Sequence, residues 1–239
     1  MKVAILQPSY LPWLGYFEQL AHADLFLFLD DVQYTRSDWR NRNRIKTPRG
    51  PAWLTVPVRR TGLQKRILDA TIDYSSAWPE RHLNMLAEQY RRAPYYEEVS
   101  ALLRPHLLAR PERLRDLCAG LVHDLARYMG LSFRTMYTSE LGVRADDPTE
   151  RLVRLCERVE ATSFYEGRAG AAYLDVPRFR SAGIDVVFQD YRHPHYSQFH
   201  PPFVSHLSVV DLLYHVGRAS GPVVLSGHGV LSSAGCAPA

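Results

Sequence analysis

The chain has 239 residues, with 29 Lys or Arg, 25 Asp or Glu, ten His and three Cys, for a formal net charge of +4. That length buries a sizeable core. A hydrophobic fraction of 46% with 23% charged residues excludes wholesale disorder, a collagen-like chain and a disulfide-built scaffold. No apolar run approaches the roughly 20 residues of a membrane span, and the start, Met1-Lys2-Val3-Ala4-Ile5-Leu6-Gln7-Pro8, breaks too soon for a secretory signal. Cys118, Cys156 and Cys236 lie far apart with no CxxC pair, the pattern of reduced thiols, so the expected location is cytoplasmic.

Lys2 to Leu6 reads as a buried first strand, and Leu14 to Ala23 carries apolar residues at helical spacing. Leu25 to Leu29 is a second apolar run that stops at Asp30-Asp31. Strand, helix and strand within about thirty residues make a βαβ unit and hence a parallel sheet. Ala52 to Val58 and Ile67 to Asp73 are further strand candidates around a turn at Thr61-Gly62. From 76 to 130 the apolar spacing becomes helical, with Pro94, Pro105 and Pro111 dividing it into about three helices. Ser132 to Thr138, Ser163 to Tyr165 and Asp185 to Tyr191 read as strands, and Pro148 to Val159 as an amphipathic helix. Ala172 to Ala182 is a helix or turn. Ser208 caps a last helix from Val209 to about Arg218. The expected architecture is a parallel-sheet, Rossmann-like α/β core over residues 1–218, with a helical insertion at 76–130 and a flexible tail at 219–239.

The charge is uneven. Arg36, Arg40, Arg42, Arg44, Lys46, Arg49, Arg59, Arg60, Lys65 and Arg66 share the segment 36–66 with a single acid, Asp38. Such a block attracts an anion, although Arg dominates Lys throughout the chain and a merely solvated basic face would look similar.

Ligands of open parallel sheets bind beyond the carboxyl ends of the strands, which places three segments near a site. In the first, Gln7, Tyr10, Trp13, Gly15 and Tyr16 lie between a strand end and a helix start. Backbone N–H groups there favour an anion, Gly15 allows close approach, and the aromatics either stack on a flat ring or fill the core. In the second, Asp30 and Asp31 at a strand end can hold a metal, act as base, orient an amine or pair with arginines. Asn41, Arg42, Asn43 and Arg44 offer dense donors for phosphate or carboxylate. In the third, His193 and His195 share one face of an extended segment, with Gln198 beyond them. General acid–base work suits them better than zinc, because no further ligand stands at a recognisable spacing. Ser208 and Asp211 open the last helix as cap and first-turn charge, or line the site. Walker, GxSxG and GxGxxG motifs are absent, and no metal or cofactor is expected.

Taken together, Gln7-Pro8-Ser9-Tyr10-Leu11-Pro12-Trp13-Leu14-Gly15-Tyr16-Phe17, Phe28-Leu29-Asp30-Asp31-Val32-Gln33-Tyr34, Asn41-Arg42-Asn43-Arg44-Ile45, Trp53 to Val58, Tyr165 to Gly170, Phe188 to Gln198 and Leu207 to Leu213 resemble the WbqC-like family across residues 2–218. Glu166 stands where that pattern leads one to expect Ser. The resemblance implies work in O-antigen, other surface-polysaccharide or natural-product assembly, with a glycine-transferase role proposed for members. In position, Trp13-Leu14-Gly15-Tyr16 is also similar to the His-x-Gly-His signature of class I synthetases and nucleotidyltransferases. Replacement of both histidines speaks against adenylation, because those histidines stabilise charge at the phosphates. Cyclodipeptide synthases, similar in the same respect, share the fold without the signature and take amino acids from aminoacyl-tRNA.

Three functions remain open. The first is transfer of an aminoacyl or other acyl group onto an amine or hydroxyl of a sugar or small metabolite, with aminoacyl-tRNA as donor. In it, Asp30, Asp31, His193 or His195 would deprotonate the acceptor. The second is a nucleotide-dependent transferase or ligase. The third is a non-catalytic sugar- or RNA-binding protein.

Overall fold

A computed structural model describes residues 1–59 and 66–232. The turn expected at Thr61-Gly62, together with Arg60, Lys65 and Cys236, lies outside the described residues. The first elements are β1 (Lys2–Leu6), α1 (Leu14–His22), β2 (Leu25–Phe28) and a hairpin of β3 (Arg42–Thr47) and β4 (Gly50–Thr55). Helices α2 (Trp78–Tyr90), α3 (Tyr96–Leu108) and α4 (Leu114–Tyr128) follow, then β5 (Thr135–Tyr137), the short α5 (Thr138–Leu141), α6 (Pro148–Arg158) and β6 (Ser163–Glu166). The chain continues through α7 (Val176–Ser181), β7 (Asp185–Gln189), α8 (Val209–Val216), α9 (Ser220–Ser226) and β8 (Val230–Ser232).

The central sheet runs β5-β2-β1-β6-β7-β8, parallel from β5 to β7, with β8 antiparallel at the edge. This is the α/β, Rossmann-like arrangement expected from the apolar runs, and its order reverses between β1 and β6. Alternation along each strand feeds two cores. Val3, Ile5, Leu25, Leu27 and Phe164 face α6 and α7, whereas Ala4, Phe26, Phe28 and Tyr165 face α1 and the helical insertion. Burial on both faces is why these strands read as unbroken hydrophobic runs.

Several boundaries differ from expectation. Ile67–Asp69 is a 3-10 turn, not a strand, and Ile72 makes only an isolated bridge with Val58. Pro105 lies inside α3. It sits in the last turn, where its missing N–H removes one hydrogen bond and the helix survives. The strand β3 has no apolar run: its sequence is Arg-Asn-Arg-Ile-Lys-Thr, and Gly50 with φ of 102° closes the turn into β4. The tail expected from 219 is corrected in part. Residues 220–226 form α9, and β8 pairs with β7 through Val187, Phe188 and Gln189.

One buried carboxylate ties these parts together. Glu18 on α1 is fully buried and accepts from the Tyr165 hydroxyl at 2.8 and 3.0 Å, from the Gln189 amide and from the His228 ring. His22 stands 3.1 Å from the same oxygen as His228, and the two imidazoles stack 3.8 Å apart with planes 6° from parallel. Gln189 also donates to the Gly15 carbonyl at 2.8 Å. Helix α1 is thereby bound to β6, β7 and the loop before β8. Glu18→Ala leaves several buried donors unmet, and such losses cost about 3 kcal/mol. Urea unfolding should show that drop, and a change under 1 kcal/mol would refute the clasp.

Candidate functional site

A cavity of about 540 Å³ opens at the carboxyl ends of β1 and β6, where the strand order reverses. Gln7, Trp13 and Tyr16 line it from the β1–α1 connection, Asn43 and Arg44 from β3, Trp39 and Arg40 from the loop before it. Glu166, Tyr173 and His206 complete the polar wall. Two of the three segments expected at the site therefore converge in one cavity.

The connection ahead of α1 is held in an unusual backbone shape. Leu11 has φ of 45° and His206 has φ of 57°, both in the left-handed region that non-glycine residues avoid. The Asn43 amide fixes the first by donating to the Leu11 carbonyl at 2.8 Å, and its Oδ1 accepts from the Arg44 N–H. Strain of this kind persists only where surrounding structure imposes it, commonly at functional sites.

Trp13 stacks on His206 at 5.0 Å and meets Tyr191 edge-on at 5.4 Å. Its indole also covers Gly15, where a Cβ would fall 2.3 Å from Trp13 Cη2. Glycine at 15 thus admits the protein's own ring rather than a ligand. The start of α1 is blanketed, and the arginines that line the cavity are Arg40 and Arg44. Tyr16 donates to the Gln7 carbonyl at 3.1 Å, and its burial pushes the phenol well above its ordinary value. Tyr10, by contrast, is a core residue bonded to His82 at 2.9 Å. Asn41 is buried and donates to the Val56 carbonyl, while Arg42 lies outside the cavity over Trp53.

The aspartates go elsewhere. Asp30 is fully buried and accepts from Arg115 at 2.5 Å, from the Ser139 N–H at 3.0 Å and from Ser139 Oγ at 2.8 Å. Asp31 pairs with Arg151 at 2.5 Å and accepts from Thr138, lining a separate depression with Arg66, Arg144 and Arg154. Both lock the end of β2 to α4, α5 and α6. Neither carboxylate lines the cavity.

The third segment stands one layer behind the cavity. His193 packs 5.1 Å from His206 and near Tyr191, Tyr196 and Phe203. Nδ1 lies 2.9 Å from the Pro194 carbonyl, which only accepts, so Nδ1 carries the proton and Nε2 is a buried lone pair without a partner among the described residues. Burial pushes this imidazole down to about 4, hence it is neutral. His195 stacks on Phe203 at 4.2 Å. Gln198 donates to Asp211, Tyr196 and the Val204 carbonyl, and buried Asp211 also accepts from Tyr90 at 2.7 Å. Ser208 is the helix cap. These last three shape the wall and do not line the cavity.

Sequence reasoning singled out Glu166 only as a departure from an expected Ser. It ends β6, lines the cavity and accepts from the Gly167 N–H at 3.0 Å. Burial raises its carboxyl from 4.5 to about 7, while the Gly167 and Tyr173 hydrogen bonds oppose the rise. A polar residue ending a buried strand was the available signal, the same one that drew attention to Gln7. Glu18, His22 and His228 form a further group near enough to share an ion, and it is the single such group among the described residues. Both ring nitrogens that face this group approach the same Glu18 oxygen, the arrangement of a hydrogen-bonded clasp. Cys118 and Cys156 are buried, with the Cys156 thiol pushed up to about 12, which leaves neither as a nucleophile.

The profile of the WbqC-like protein family matches residues 7–222. The chain belongs to the WbqC-like family. The chain is similar to the "Uncharacterized protein Rv1507c" of Mycobacterium tuberculosis (strain ATCC 25618 / H37Rv), 37% identical over 219 residues that cover 90% of this chain and 94% of the relative. No solved structure matches. No helix among the described residues of this WbqC-like chain is long and apolar enough to cross a membrane.

Because the folded Glu166 carboxyl titrates near 7 and the unfolded one near 4.5, folding favours its neutral form. That stability is present in full below the unfolded value and is lost as pH rises through 7. Glu166→Gln should therefore melt above the parent at pH 8.5, with the gap closing toward pH 4.5, in thermal scans across pH.

Proposed function

We propose that this WbqC-like protein is a transferase that moves an acyl group, aminoacyl in kind, onto an amine or hydroxyl of a sugar or small metabolite. The setting is polysaccharide or natural-product assembly in the cytoplasm. The observation that carries the reading is Glu166, a carboxyl poised at about 7 on the wall of the switch-point cavity. Such a group holds a substantial fraction as carboxylate at neutral pH and is basic enough to take a proton from an attacking nucleophile.

In this scheme the acceptor's N–H or O–H proton passes to the Glu166 carboxylate as its nitrogen or oxygen attacks the acyl carbonyl. The tetrahedral intermediate then expels the donor's alkoxide, and the Glu166 carboxylic acid returns the proton to that oxygen. Arg44, for which no carboxylate partner is present among the described residues, and Arg40, paired with Asp38, bind the anionic part of the donor. Trp13 and Tyr16 provide the flat walls. His193, neutral and one layer back, supports the His206 ring from behind. Asp30 and Asp31 serve as braces.

Aminoacyl-tRNA and nucleotide-activated acyl donors, each offered with amino-sugar and metabolite acceptors, test the reading by mass spectrometry of products. Transfer should rise with pH and level off above about 7. Glu166→Gln should lose 100-fold or more in kcat with the fold intact. Undiminished turnover in that variant sinks the assignment. Nucleotide-dependent release of pyrophosphate or a nucleoside diphosphate would replace it with a ligase or nucleotidyl reading.

A further inference from the structure

Beside the cavity, the hairpin presents a surface of which the proposed acyl-transfer scheme uses Arg44 alone. Along β3, Asn43 and Ile45 turn inward and are buried, which sends Arg42 and Arg44 to the opposite face. Arg44 is paired across the hairpin with Trp53 of β4, and Trp53 alternates outward with Pro51 and Thr55. Trp39, from the preceding loop, lies 5.4 Å from Trp53 between ring centroids. The two indoles are 46% and 40% exposed, unusual for the residue type.

The arginines complete the surface. The Arg42 guanidinium sits 4.1 Å from the Trp53 ring, and that of Arg44 is 5.7 Å from both indoles. Neither makes an ion pair with a described acid, and the Nε of each is buried without a partner. Asp38, the acid on this surface, is engaged by Arg40, by Thr35 at 3.0 Å and by the Trp39 N–H at 2.7 Å. The depression between these groups measures about 280 Å³, and Trp39 and Arg44 line both it and the main cavity.

Exposed flat rings interleaved with unpaired guanidinium groups match bases and phosphates in alternation. A free nucleotide would call for two or three cations in an enclosed pocket. Here Arg42 and Arg44 stand with two exposed indoles on the outward face of a hairpin, and an enclosed pocket is not what they line. We propose that Trp39, Trp53, Arg42 and Arg44 form a stacking platform for the single-stranded end of an RNA, whose terminal nucleotide leads into the cavity. What that end delivers rests on the acyl-transfer reading. Its binding does not.

The test is fluorescence anisotropy of a labelled 12-nucleotide single-stranded RNA, with tryptophan quenching as a second readout and no turnover required. Trp53→Ala, an outward-facing change on the hairpin, should weaken binding tenfold or more, and Trp53→Phe should restore most of it. Arg42→Gln should reduce the slope of log affinity against log salt by about 0.7, one phosphate's worth on a single strand. Duplex RNA, heparin and free AMP should each compete at least tenfold less well. Equal competition by heparin would reduce the surface to a generic polyanion patch, and equal competition by AMP would make it a nucleotide site. Either result overturns the inference, as does binding indifferent to Trp53→Ala. Strand binding is read without turnover and transfer is read from its products, so a failed transfer assay and a failed platform remain distinguishable.

Discussion

A carboxylate without a Lys or Arg partner among the described residues, sealed between a helix and a sheet, is the interaction on which this architecture depends. Glu18 is held by hydroxyl, amide and imidazole donors from β6, β7 and the loop before β8. Desolvating an anion is so unfavourable that the site tolerates little besides the full set of donors. Meeting that demand fixes the rotation of α1 about its axis. Three residues earlier, that same rotation places Gly15 under the Trp13 ring, which lines the cavity. The geometry of the ligand site is thus set from behind, by groups that touch no ligand.

A similar logic runs through the rest of the cavity. Leu11 and His206 hold positive φ angles, and Asn43 spends both ends of its amide on the backbone around them. The residues free to meet a ligand are few: Arg44, Glu166, Gln7 and the aromatic walls. The proposed chemistry rests on Glu166 because burial raises its proton affinity to about 7, while the more conspicuous acids are tied up by arginines.

How much of this was legible beforehand follows from where each signal resides. The parallel strands are buried on both faces, so their apolar runs announce themselves. The β3–β4 hairpin is half exposed and built from Arg and Asn, so its pattern resembles a loop rich in donors. The segment 220–232 is composed of small residues, and only its pairing with β7 and packing on α1 reveal it as structure. At the site, Gln7, Trp13, Tyr16, Asn43 and Arg44 stood out because polar or aromatic residues crowded a strand end. Asp30 and Asp31 carried the same local signal, yet their neutralising partners, Arg115 and Arg151, lie far along the chain and show no motif. Glu166 is the converse. Its place at the end of a buried strand was visible, but its altered acidity arises mainly from tertiary burial, which no local pattern shows.

The last strand has a consequence for how this molecule behaves in company. Through β8, the backbone groups of Val187, Phe188 and Gln189 that would otherwise lie open along β7 are paired within the same chain. At the far margin the sheet ends in β5, only three residues long. Short or covered margins give another copy's backbone little to zip onto. A chain cleaved ahead of Val230 would lose that cover and gain an adhesive border of apolar β-structure, with self-association as the expected result.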